Sequence, residues 1–169
     1  MPFTPFHLGP SSWIGLLLFK KLDFSTLLIA SVIVDIEPFF VLFLNMPYPL
    51  HGFLHTFLGS SILAILTAII CYLLKNPIQE IMKIFKLSQN SSFKKIFSTS
   101  FFGIYFHILL DAFFYEEMNP FYPFLGNPFF VLFSSNQVYL FCIFSFLIGI
   151  ALYLIFLLRL TIEKKALIY

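Results

Sequence analysis

All ten Lys and Arg residues fall at three places: the Lys20-Lys21 pair, the stretch from Lys75 to Lys95, and the tail from Arg159 to Lys165. Long apolar runs separate them. Hydrophobic residues make up 60% of the 169 positions and charged residues 11%, with a mean hydropathy of +0.95. A soluble domain carries roughly a quarter charged residues, so this composition points to an integral membrane protein. The 26 Phe and 8 Tyr suit lipid contact and interfacial belts better than one compact soluble core. If the apolar runs enter or cross alternately, the three basic places share one side. Residues 45–50 and 116–137 then share the other side and contain no Lys or Arg. The positive-inside bias makes the basic side, with the C-terminus, cytoplasmic. The expectation is a multi-pass protein of the plasma or inner membrane.

Residues 1–169 form a single domain of all-α class, an integral membrane helical bundle of about five helices. Residues 1–10 read as an irregular, proline-bearing entry, without the basic n-region of a cleavable signal. The first helix, over about 11–19, is too short to cross a ~30 Å hydrocarbon layer and is a candidate re-entrant segment. A second runs through 27–34 and is interrupted at Asp35-Ile36-Glu37-Pro38, because Pro38 disfavours a helical Glu37. It resumes at Phe39 and ends near Asn45. A third, from about His51 to Lys75, is long enough to span. Residues 78–97 suggest a short amphipathic piece lying on the membrane surface. A fourth helix covers about 94–114, and a fifth covers 138 to about 158, ending at Arg159. Cys71 and Cys142 sit inside apolar runs, without Cys-x-x-Cys spacing, and read as small core residues. No Gly-rich phosphate loop or long basic tract is present, which argues against nucleic-acid binding.

The polar residues left inside these runs are few. His51 and His55 are four apart, as are His107 and Asp111. On a helix each spacing puts both side chains on one face, where they can grip one cation. At 1.5 Å per helical residue, Asp35, His107 and His7 each lie ~20 Å from the basic face, a depth that makes one shared site geometrically cheap. An ionisable group at membrane depth costs several kcal/mol unless paired, so Asp35 and Asp111 mark a site by default. Imidazole with carboxylate suits zinc, manganese or iron. Six or seven such ligands exceed one tetrahedral shell, so one or two ions fit the set. Taken singly, His7 reads as an interfacial hydrogen-bonding residue. Glu37 reads equally as a cap of the Pro38 segment, and Glu116 and Glu117 read as solvated loop residues.

Four motifs occur in order: His7-Leu8-Gly9, Asp35-Ile36-Glu37-Pro38, His51-Gly52-Phe53-Leu54-His55-Thr56, and His107 with Asp111. With the proline-rich loop over 119–128, they resemble the membrane-bound metal-dependent hydrolases, a family with LexA-regulated inner-membrane members and many archaeal ones. Relatives often carry Asp-x-Asp where this chain has Asp35-Ile36-Glu37. The family is considered a distant relative of zinc-dependent phospholipase C, which is all-helical with clustered metals. The resemblance implies metal ligands at His7, Asp35, His51 or His55, His107 and Asp111. It implies a water-activating chemistry with Asp35 or Glu37 as general base or bridging ligand. His51 would be a ligand or a hydrogen-bond donor to the leaving group.

Two functions follow as expectations. The first is a hydrolase with a divalent metal (zinc, with manganese or iron as alternatives) acting on a phosphoester or ester. A lipid or lipid-linked substrate would suit a site opening to the extracytoplasmic side. The second is a non-enzymatic membrane protein, either a metal or proton carrier or a metal-stapled scaffold. Leu58–Leu74 and Ile143–Leu158 carry no ionisable residue other than Cys71 and Tyr72 near one end and Tyr153 in the other. A conduction path would need such residues, so the pattern favours a one-sided site.

Overall fold

The computed structural model describes residues 5–130 and 132–166, with side-chain surroundings up to residue 162. Its elements are helical, and no strand occurs among the described residues. The helices are α1 (Pro5–Leu17), α2 (Phe24–Ala30), α3 (Ile36–Phe43), α4 (Phe57–Leu73), α5 (Lys75–Ile84), α6 (Phe93–Ala112) and α7 (Ser135–Ala166). Short 3-10 turns at Ile33–Asp35 and Phe53–His55 precede α3 and α4. The helical segments outnumber the five expected from the sequence, for reasons found at their ends.

The helix expected over 11–19 begins earlier, at Pro5, so His7 lies in its first turns rather than in an irregular entry. The expectation for residues 1–4 lies outside the described residues. Pro10 is tolerated inside α1 although it removes one helical donor. α1 packs along α7, and glycine makes the close approach possible. A Cβ on Gly9 would sit 2.5 Å from the Cys142 carbonyl oxygen. Trp13 Nε1 donates to Ser145 Oγ on α7 at 3.2 Å.

Asp23 caps α2 by accepting from the Thr26 amide. α2 and α3 together form one apolar run, Phe24–Phe43. The break falls at Val32, whose φ of −129° is not helical, and not at Glu37-Pro38 as the sequence suggests. Pro38 sits in the first turn of α3, where backbone donors have no helical partner and a missing one costs little.

The helix expected from His51 to Lys75 starts at Phe57 instead, with Thr56 accepting from the Gly59 amide as its cap. It ends at Leu73, and α5 departs at 73° to it. The amphipathic piece is therefore α5 alone, and the next helix begins only after the Ser92 cap. α7 runs past Arg159 to Ala166. Arg and Lys are good helix formers, so their charge ends the apolar run without ending the helix.

The core lies between α2, α4 and α6. It is built on small residues, with Ala30, Ala64 and Ala112 wholly buried beside Ile104 and Ile108. Ser100 Oγ on α6 donates to the Ala64 carbonyl on α4 at 2.8 Å. Small residues and hydroxyl-to-backbone bonds of this kind let apolar helices approach closely. Two helical runs, Phe24–Phe43 and Ser135–Ile162, are long and apolar enough to cross a membrane. The bent α4–α5 pair makes a third if it counts as one span.

Candidate metal centre

Three chain segments meet at one end of this core. Asp35 comes from the 3-10 turn before α3, His55 from the turn before α4, and His107 and Asp111 from successive turns of α6. One ligand atom from each lies within 4.8 Å of all the others. His107 Nε2 is 3.1 Å from Asp111 Oδ2 and 3.5 Å from Asp35 Oδ1. His55 Nε2 is 3.8 Å from Asp111 Oδ2 and 3.9 Å from Asp35 Oδ1. A tetrahedral zinc shell with bonds of about 2.0–2.1 Å sets its donors about 3.3 Å apart. The group is therefore close to the size of one ion's shell.

The imidazoles are already set for ligation. His55 Nδ1 lies 2.7 Å from Glu37 Oε2, and His107 Nδ1 lies 2.8 Å from the Ser31 carbonyl. Both partners accept, so Nδ1 carries the proton in each ring. Each Nε2 then faces the two aspartates, where a metal ion would take the place of a proton. Both Nε2 atoms are buried and make no hydrogen bond. Unpaired buried polar atoms are rare, whereas ligating imidazoles with the second nitrogen tied to a carboxylate or carbonyl are the rule. Burial alone would lower the pKa of His55, which lies outside the apolar spans. The carboxylates of Asp35, Glu37 and Asp111 around it outweigh that and raise it to about 9. The same field attracts a metal cation.

The remaining predicted residues surround this group rather than join it. His7 Nε2 contacts Asp111 Oδ1 at 3.2 Å, and its ring lies 4.0 Å from that of His107. Glu37 accepts from the Gly52 and Leu54 amides as well as facing His55. Its two oxygens thus fix the loop that carries both histidines. His51 is not on a helix with His55, because the chain turns at Gly52 before α4 starts. Its ring stacks on Tyr115 at 3.9 Å and meets His55 edge-on at 4.9 Å.

Glu117 was expected to be solvated. Its side chain is half exposed, yet Oε1 lies 3.0 Å from His51 Nδ1. Nothing in the sequence marks it, because the contact spans 66 positions through an irregular loop. The Ser31 carbonyl was likewise invisible, since a backbone acceptor has no residue-type signature. Asp35 is the most open member of the group, with its side chain 18% exposed. The side chains of His55, His107 and Asp111 are buried. The group can therefore hold a metal ion, with access on the Asp35 side. No protein-family model, curated protein or solved structure matches the chain.

Proposed function

We propose that the protein is a membrane-embedded metal-dependent hydrolase whose centre is Asp35, His55, His107 and Asp111. The observation that carries this reading is the pair of buried Nε2 atoms that make no hydrogen bond and face two carboxylates, each ring held through Nδ1. The apolar runs cross the bilayer with the basic turns in the cytoplasm, and the centre opens to the opposite side. Two imidazoles and two carboxylates suit zinc first, and manganese or iron as alternatives. A bound divalent ion lowers the pKa of a coordinated water toward about 7 and polarises an ester or phosphoryl oxygen.

The chain's own groups do the rest. Asp35, on the open edge, would accept the proton that the attacking water gives up. His51, held through Nδ1 by Glu117 and stacked on Tyr115, would take up a proton at Nε2 and pass it to the leaving oxygen. Glu37 and His7 orient His55 and Asp111. A lipid or lipid-linked ester matches a centre at membrane level.

A second reading has one observation in its favour. Four donors complete a tetrahedral shell, as in a structural zinc site, whereas catalytic sites keep a position for water. Hydrolysis of lipid phosphoesters and esters by purified protein decides between them. Turnover that a chelator abolishes and zinc restores is expected. A fully loaded protein with no turnover on either class would leave the staple.

A further inference from the structure

The ligand face of α6 does not stop at Asp111. His107, Asp111 and Tyr115 follow one another at intervals of four. On a helix that spacing sets three side chains on one face, about a turn apart. α6 ends at Ala112, yet the Tyr115 amide donates to the Asp111 carbonyl at 2.9 Å, so the helical bonding reaches Tyr115. Asn127 Nδ2 closes this end by donating to the Ala112 and Tyr115 carbonyls, each at 2.7 Å. Tyr115 is thereby fixed at the edge of the metal centre.

Its ring is half-buried and stacks on that of His51 at 3.9 Å. No hydrogen bond to its hydroxyl occurs among the described residues. A phenol is a hydrogen-bond donor at neutral pH. Burial raises its pKa here, and the negative charges of Asp111, Asp35 and Glu117 raise it further. The hydroxyl thus lies in the field of the carboxylates around the centre and keeps its proton.

We propose that the Tyr115 hydroxyl donates a hydrogen bond to a non-bridging phosphoryl oxygen of the substrate, so that the centre takes phosphoesters in preference to carboxylic esters. The proposal rests on the hydrolase reading above. With one non-bridging oxygen on the ion and the leaving oxygen served by His51, a second non-bridging oxygen is left for Tyr115. A carboxylic ester offers no such atom, because its carbonyl oxygen and its leaving oxygen are already taken.

The test compares zinc-loaded wild type, Tyr115→Phe and Tyr115→Leu as the full chain in detergent. Tyr115→Phe keeps the ring on His51 and removes only the hydroxyl. Binding of inorganic phosphate is measured by calorimetry, beside kcat and KM on a phosphoester and a carboxylic ester with the same hydrocarbon chain. A hydrogen bond to a charged oxygen is worth about tenfold or more. Tyr115→Phe should weaken phosphate binding and lower phosphoester turnover on that scale, with zinc content and melting midpoint kept. Turnover of the carboxylic ester, the poorer substrate, should not change. Tyr115→Leu, which also loses the stack on His51, should fall further in kcat. Equal phosphate affinity in wild type and Tyr115→Phe would overturn the proposal. So would an equal loss on both esters, which would make the hydroxyl a general support of the site, or loss of zinc, which would assign it to the metal shell. A wild type that binds no phosphate, or prefers the carboxylic ester, would also overturn it. Phosphate binding that depends on the Tyr115 hydroxyl in a protein without turnover would support the contact and defeat the hydrolase reading alone.

Discussion

Glu37 shows how much one side chain does at this centre. Its oxygens accept from two amides of the histidine loop and fix the His55 tautomer. Loss of such an outer-shell partner typically lowers metal affinity roughly 10–100-fold. Glu37→Gln keeps the shape and removes the charge, so a loss in that range is expected in a competitive chelator titration; unchanged affinity would assign Glu37 to the loop alone. His51 makes the opposite prediction. It lies outside the four-residue group, so His51→Ala should retain the ion and lose roughly 100-fold or more in kcat, the scale of a missing proton-transfer group. A metal-free His51→Ala protein would make His51 a ligand instead. At the basic end, burial alone would raise the Asp23 pKa. Hydrogen bonds from Ser91, Thr26 and Ser25 outweigh burial and hold it below the usual carboxylate range. A depressed folded pKa gives stability that is present above the unfolded value and lost as pH falls through the folded one. The melting midpoint should therefore drop on acidification below about pH 4. Asp23→Asn should flatten that drop and cost about 1–3 kcal/mol at neutral pH.

At the scale of elements, α1 holds His7 against Asp111 only because α1 and α7 meet at Gly9. Gly9→Ala would force a Cβ onto the Cys142 carbonyl and the Phe146 ring. Overpacking of this kind typically costs about 1–3 kcal/mol. A lowered melting midpoint with faster metal loss to a chelator is expected; full retention of both would show that α1 is not held there. The elements also show where the sequence is legible. Apolar runs placed α6 within a residue or two at each end, because Ser92 caps it and its face is continuous. The histidine pair misled, since spacing of four implies a helix only where the backbone is helical. Gly52 and the Thr56 cap delay α4 until after both histidines. Likewise Pro38 looked like a break but entered a first turn, where its missing donor has no partner to lose. The convergence of Asp35, His55, His107 and Asp111 followed from the cost of unpaired ionisable groups among apolar helices. Glu117 and the Ser31 carbonyl did not, because loop path and backbone acceptors leave no periodic trace.

For the whole molecule, the proposed orientation rests on the three basic places and the lysine-free loops. Cys71 and Cys142 are buried, so background labelling should be low. Leu125 is 84% exposed in the loop between α6 and α7. Leu125→Cys should react with an impermeant maleimide on intact cells, while Lys83→Cys should react only after permeabilisation; the reverse pattern would invert the topology. The two ends of the bundle then divide the work. Lysines and an acid-centred hydroxyl network anchor one end, and a buried histidine–carboxylate group occupies the other. The most direct test of the centre is elemental analysis of the protein purified without added chelator, beside His107→Ala/Asp111→Ala. One zinc, manganese or iron ion per chain, absent from a variant that still folds, is the predicted result. A well-folded wild type that is metal-free and takes up none of these ions when they are supplied would contradict it.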